Sequence, residues 1–331
     1  VATDTTPEYR RLGRSGLQIS SFALGTFNFG GHTPEDQAHR ILDIATDRGL
    51  NMVDTANTYP GPIVGDFADK GRGEEIIGRW IGADTTRRER IVLATKVFGE
   101  MGPGVNDKGL SARSIRHALD ASLRRLQTDH IDLYQFHHVD RTAPWDEIWE
   151  AIDVAVRQGK VLYAGSSNFA GWHLAQAQES ARRRLMIGLV SEQALYNLLV
   201  RDIERELVPA ALEYGTSIIA WSPLHSGLLA GPRREGSRRS TARPATTLAT
   251  RAAELAQYEQ LADDTGIAPW RLALGWVVSR PGVATALIGP RTVEHLEQLL
   301  DAWGECLDAD IQHRLDELFP GPKTAPEDHA W

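Results

Sequence analysis

Asp54, Tyr59, Lys96 and His137 are the residues of this chain whose types and spacing could do chemistry, and together they describe a proton donor built around a phenol. Asp54 and Tyr59 occur in NMVDTANTYPGP, Lys96 in RIVLATKVFGE and His137 in HIDLYQFHHVD. A free tyrosine has a pKa of about 10 and gives up its proton poorly at neutral pH. A nearby ammonium and an imidazole would stabilise the phenolate and lower that pKa, while a carboxylate holds the ammonium in place. Such a phenol is a general acid for a carbonyl oxygen. Singly, Asp54 reads as a cap or loop carboxylate and Lys96 as a solvated strand end. Their occurrence at the ends of three successive predicted strands argues for function. The adjacent pair His137–His138 makes a poor metal site, because neighbouring strand residues point to opposite faces. At most one of the two rings is expected at the site, and no metal is expected.

These side chains can meet only if the fold gathers the strand ends. RRLGRSGLQISSFALGT reads as a hairpin turning at Arg14–Gly16 and leading into a first strand near Ser21–Leu24. Helix 34–49 follows, with apolar Ala38, Ile41, Leu42 and Ala45 on one face and Gly49 at its end, then strand 51–55. The alternation continues with helix 73–82 and strand 90–96, helix 111–127 and strand 131–137, and helix 145–160 and strand 161–167. Helix 171–184 precedes strand 187–193, helix 200–215 precedes strand 217–223, and helix 269–282 precedes strand 284–290. Units of this kind, eight in number and joined by right-handed crossovers, favour a closed (β/α)8 TIM barrel over an open sheet. A helix at 308–319 lies outside the eight. The chain is expected to be one domain over 1–331, with its core at about 11–302.

In such a barrel the chemistry sits at the C-terminal strand ends. Asp54, Lys96, His137, Ser167, Asn168, Gln193, Ser222 and Arg291 all fall at or just after one. Two loops interrupt the rhythm at the same face, 61–73 beside Tyr59 and the Arg-rich 230–250.

With 42% hydrophobic and 24% charged residues the chain is an ordinary globular sequence, and its net charge of -8 argues against nucleic acid as a partner. Cys306 is the single cysteine, which excludes an internal disulfide and suits a reducing compartment. No apolar run is long enough to span a bilayer and VATDTTPEYR lacks a signal-peptide core, so the expected location is cytoplasmic.

The segments DTANTYPG, LATKV, DLYQFHHVD, GSSNF, SEQALYNLL, AWSPLHSGLL and IGPRTVEHLEQLL resemble, in order, the signature segments of the aldo-keto reductases. The resemblance is strongest to the larger bacterial branch that includes the potassium-channel β subunits. It implies Tyr59 as proton donor, Lys96 and His137 tuning it, and Asp54 pairing with Lys96. It also implies a nicotinamide dinucleotide, usually NADPH, bound without a Rossmann fold. In keeping with that, GRGEEIIG has Ile76 where the dinucleotide fingerprint needs its third glycine. By the same resemblance Ser167, Asn168 and Gln193 hold the carboxamide, Trp221 stacks on the nicotinamide, and Ser222, Leu224 and Gly227 wrap the pyrophosphate. Gly289 and Arg291 fall at the 2'-phosphate, which a guanidinium can grip bidentately. His295 and Leu299 stand where many relatives carry a glutamine and an asparagine for adenine, so adenine contacts must differ.

The implied reaction is NADPH-dependent reduction of a small-molecule carbonyl or conjugated enone. TKVFGEM, VNDKGLSARSI, HHVDRTAPWDE, GSSNFAGWHLAQAQESA and SPLHSGLLAG resemble most closely the actinobacterial reductases of deoxysugar biosynthesis, which act on nucleotide-linked keto-sugars. Arg233, Arg234, Arg238, Arg239 and Arg243 would border the mouth and attract a diphosphate, unless that loop is merely solvated. The alternatives are a broad-specificity aldehyde reductase and a nicotinamide-binding regulatory protein like the β subunits. The sequence leaves the oligomeric state open.

Overall fold

The structure, a computed structural model, describes residues 8–61, 65–231, 246–247, 249–304 and 306–323. Eight parallel strands close on themselves: β3 Phe22–Gly25, β4 Met52–Asp54, β5 Val92–Val97, β6 Ile131–Phe136, β7 Val161–Ser167, β8 Leu189–Leu195, β9 Ser217–Trp221 and β10 Val283–Ile288. β10 pairs with β3 to complete the ring, with helices in the crossovers. The expected (β/α)8 barrel is the observed fold.

The hairpin of β1 Tyr9–Arg11 and β2 Gln18–Ser20 plugs the N-terminal end. Leu12 and Ile19 bury themselves against Met52, Ala94, Leu133, Val190 and Ile219 inside the barrel. Gly13 makes the approach possible: its φ is +56°, and a Cβ there would lie 2.3 Å from the carbonyl oxygen of Val190. A second, larger apolar layer fills the space between strands and helices.

Strand parity decides which side chains see the interior. On β5, Val92 and Ala94 belong to the inner layer and Leu93 and Val97 to the outer one. Lys96 therefore points inward. On β6 the same rule sends Leu133 inward and Tyr134 and Phe136 outward, leaving Gln135 on the inner face.

Two elements differ from expectation. Residues 200–215 form a 3-10 turn at Asp202–Glu204 and a separate helix Leu207–Tyr214. Pro209 is the reason, since a proline fits the first turn of a helix but not its interior. A helix at Ala252–Thr265 has no counterpart in the sequence reading, although Leu255, Tyr258, Leu261 and Ala262 give it a buried stripe. The helix Ala309–Leu318 packs outside the barrel, where its Asp316 receives Arg201, Arg280 and the indole of Trp276. Among the described residues no helix is long and apolar enough to cross a membrane.

Candidate active site

At the C-terminal mouth, β4 contributes Asp54 and β5 contributes Lys96, both essentially inaccessible to solvent. Lys96 Nζ donates to Asp54 Oδ2 at 2.5 Å, to the carbonyl oxygen of Thr55 at 2.9 Å and to Tyr59 Oη at 3.3 Å. Asp54 Oδ1 accepts from Gln135 Nε2 at 2.8 Å and from Gln193 Nε2 at 2.9 Å. Four strands thus converge on one carboxylate, and every bond to it is charge-assisted.

Tyr59 lies in the loop after β4, and its position is set by backbone. The amides of Gly71 and Gly73, at the start of helix Arg72–Ala83, both donate to its carbonyl, at 3.1 and 3.0 Å. A Cβ on Gly73 would meet Tyr59 Cβ at 3.3 Å, so the helix start sits directly on the tyrosine. Buried Glu74 anchors that helix by accepting from Thr95 Oγ1 at 2.6 Å and Arg125 Nε at 2.7 Å. The Phe27 ring packs against the phenol edge to face at 5.1 Å, and the His137 ring approaches at 5.9 Å, inclined by 74°.

The electrostatics correct one expectation. Burial pushes the Tyr59 phenol above its ordinary pKa; Lys96 pulls it back and Asp54 adds to the rise, but burial is the larger effect. Burial pulls Lys96 down, but Asp54 and Tyr59 together leave it above its usual value, so the ammonium stays charged. Burial and the charge of Lys96 hold His137 well below the usual imidazole range. At neutral pH the site is a protonated phenol between a cation and a neutral imidazole.

The two histidines also depart from the alternation argument. Their rings stack at 5.4 Å and 12° rather than facing apart, because β6 ends at Phe136 and strand geometry does not extend to them. His138 is exposed and its ring meets Phe98 at 5.4 Å. Among the described residues no cluster of three His, Cys, Asp or Glu could hold a metal ion.

The residues expected around a cofactor fall into three groups. Ser167 and Gln193 are buried on β7 and β8, and Ser167 Oγ donates to the Gln193 carbonyl at 2.8 Å. Asn168 has a φ of +60°, and its Nδ2 donates to the His137 carbonyl and to Ser167 Oγ, each at 3.0 Å. Gln193 joins the Asp54 network directly, and Ser167 and Asn168 connect to it through the Gln193 carbonyl. Trp221 ends β9 half-buried against the inner layer. After it Ser222, His225, Ser226 and Gly227 all take positive φ, with Leu224 between them, and Asn197 Nδ2 holds the Ser222 carbonyl at 3.0 Å.

The third group stands apart from the tetrad. Gly289 and Arg291 follow β10, their carbonyls held by Asn28 Nδ2 at 3.1 Å and Thr33 Oγ1 at 3.3 Å. The Arg291 guanidinium is half-buried, pairs with no carboxylate among the described residues, and is lowered in pKa by that burial. His295 is exposed beside it, and Leu299 is buried in the outer core at 3% exposure, unable to reach a ligand. The arginines at 233, 234, 238, 239 and 243 lie outside the described residues.

Gln135 was not singled out from the sequence. Its signal was available: a polar residue at an inward position of the otherwise apolar strand IDLYQF, two before His137.

The sequence profile of the aldo/keto reductase family matches residues 21–319. The chain belongs to the aldo/keto reductase family of oxidoreductases. It is 46% identical over 330 residues to the uncharacterized oxidoreductase YrpG of Bacillus subtilis strain 168, covering 98% of this chain and all of that protein. It is 32% identical over 307 residues to a probable voltage-gated potassium channel subunit beta of Arabidopsis thaliana, covering 89% and 90% of the two chains. Versiconal hemiacetal acetate reductase of Aspergillus parasiticus is 32% identical over 325 residues, covering 88% and 91%. In this aldo/keto reductase, then, the buried ion pair beneath a tyrosine lies at the end of the barrel where the fold carries its chemistry.

Proposed function

We propose that the protein is an NADPH-dependent carbonyl reductase in which Tyr59 is the general acid. The observation that carries this reading is the 3.3 Å contact of Tyr59 Oη with the Lys96 ammonium, itself bonded to Asp54 at 2.5 Å. A raised phenol pKa keeps the acid loaded at neutral pH. Tyr59 gives up its proton as negative charge develops on the carbonyl oxygen, and the resulting phenolate is left against a cation that the carboxylate holds in place. His137, kept neutral, acts as a hydrogen-bonding group beside that oxygen rather than as a charge.

NADPH, when bound, supplies the hydride. The residues present suit it. Arg291 is a half-buried cation without a carboxylate partner among the described residues, which favours an anion such as the 2'-phosphate. Left-handed backbone at Ser222, His225, Ser226 and Gly227 is the kind of conformation that cradles phosphates, and Trp221 offers a ring face. Ser167, Asn168 and Gln193 supply the amide and hydroxyl groups for the carboxamide. Leu299 cannot serve adenine, so that end relies on other groups.

The substrate class we put first is a nucleotide-linked keto-deoxysugar, on the similarity of the segments around Phe98–Met101, Val105–Ile115 and His137–Glu147. A simple aldehyde is the second reading, favoured by the relative that is named as a reductase of a hemiacetal acetate. Turnover is followed by loss of NADPH absorbance with a nucleotide keto-sugar and an aromatic aldehyde side by side. Preference for the aldehyde in kcat/KM would overturn the sugar assignment. NADPH binding without turnover of any carbonyl would favour a sensing role like that of a channel subunit over catalysis.

A further inference from the structure

Gln135 is fully buried on the inner face of β6 and has no role in the reaction as derived above. Its Nε2 donates to Asp54 Oδ1 at 2.8 Å, and its Oε1 accepts from Gln193 Nε2 at 3.2 Å. Gln193 Nε2 also donates to Asp54 Oδ1, at 2.9 Å. Chemistry fixes all of these orientations. An ionised carboxylate only accepts, so both amides must turn their nitrogens toward Asp54. Gln135, with its nitrogen committed there, is left with its oxygen to receive the second N–H of Gln193. Both amide protons of Gln193 are therefore used inside the barrel, and its own acceptor capacity, at Oε1, is what remains for a ligand.

We propose that Gln135 is a positioning residue that fixes the Gln193 amide with its oxygen available to a ligand N–H, such as that of a carboxamide, and ties that amide to the Asp54–Lys96 pair. The proposal rests on the reading of the site as an NADPH-dependent reductase. It makes cofactor recognition and the proton donor parts of one hydrogen-bonded unit, since any shift of Gln193 is felt at Asp54 Oδ1.

The charged and titratable groups around position 135 are few. β4 presents Asp54, β5 presents Lys96, and His137 follows on the same chain. From β7 it is Gly165 that faces Gln135, where a Cβ would come within 3.2 Å of Gln135 Cγ, and β8 contributes Ser191 and Gln193. A carboxyl at 135 would thus sit beside Asp54, whose ammonium partner is already engaged. Protonated, it reproduces the native pattern: its O–H donates to Asp54 and its C=O accepts from Gln193. Ionised, it repels Asp54 and can no longer donate to it.

The test is NADPH affinity across pH for the unchanged protein, Gln135→Glu and Gln135→Leu, read by quenching of tryptophan fluorescence. Gln135→Glu is expected to bind close to normally in acid and to lose roughly tenfold or more as the new carboxyl ionises, a transition the unchanged protein lacks. Gln135→Leu is expected to lose a similar amount at every pH. If Gln135→Leu does not fold, Gln135→Glu in acid supplies a folded variant with the bonds intact. Absence of NADPH binding by the unchanged protein would overturn the reductase reading and this proposal with it. Normal binding by the unchanged protein, with Gln135→Glu following it at every pH, would overturn the proposal alone.

Discussion

Asp54 and Glu192 are both buried carboxyl groups near the same mouth of the barrel, yet one faces a lysine and the other does not. Asp54, on the inner face of β4, is held by the Lys96 ammonium and two amide N–H groups. Glu192, on β8 beside the inward-facing Gln193, accepts from the Ser166 hydroxyl and the Phe169 amide, the latter at 2.9 Å. Burial pushes Glu192 up to about 8, and those neutral donors offset only part of it. The inner carboxyl holds a cation beside the Tyr59 hydroxyl. The outer one is pushed by burial toward its neutral form and braces the turn that carries Ser167 and Asn168. Burial alone does not decide what a carboxyl does; the charge of its partner does.

Removing the cation should make the first carboxyl resemble the second. Lys96→Met leaves Asp54 buried without its ammonium, which is expected to cost about 3–5 kcal/mol of stability at neutral pH, along with turnover. Urea unfolding of the two proteins at neutral pH measures that loss. A variant as stable as the original at neutral pH would mean that the pair is not the buried ion pair described here.

Glu192→Gln sharpens the other side. Because the folded-state pKa of Glu192 is raised from 4.5 to about 8, the unfolded chain releases a proton in that window that the folded chain keeps. The contribution of Glu192 to stability is therefore full below the unfolded value and is lost as pH rises through the folded one, at up to about 1.4 kcal/mol per pH unit. Glutamine has no such dependence. Relative to the original, Glu192→Gln should gain stability by a few kcal/mol between pH 5 and pH 8, read from paired urea titrations. A constant difference across that range would show that Glu192 is ionised throughout.

The smallest effect concerns the far end of the proposed cofactor site. Arg291→Ala should weaken NADPH by about 1.5–3 kcal/mol, or roughly 10- to 150-fold, and leave NADH nearly unchanged. Calorimetry with both cofactors checks it, and equal weakening would show that Arg291 does not read a 2'-phosphate.

Much of this architecture was legible in the sequence because two periods carry it. The alternation of helical and strand patterns marked all eight barrel strands, and the polar residues at their ends pointed to Asp54, Lys96 and His137. What escaped was set by other causes. Gln135 lies inside a strand rather than at its end, and only inward parity distinguishes it. The raised Tyr59 pKa comes first from burial of the phenol, which residue types and spacing do not announce. Left-handed backbone at Ser222, His225 and Ser226 has no signature, since non-glycine residues seldom adopt it and nothing in their types announces it. The burial of Leu299 shows the reverse case, a position matched by resemblance whose side chain belongs to the core.

The central claim is that the Tyr59 hydroxyl supplies the proton, and Tyr59→Phe tests it most directly, since it removes that group and little else. Its kcat on a saturating carbonyl substrate and its affinity for NADPH should be measured together. The account predicts a loss in kcat on the order of 10²- to 10⁴-fold with NADPH affinity nearly intact, the signature of an interaction used only in the transition state. Near-normal kcat in Tyr59→Phe would contradict it.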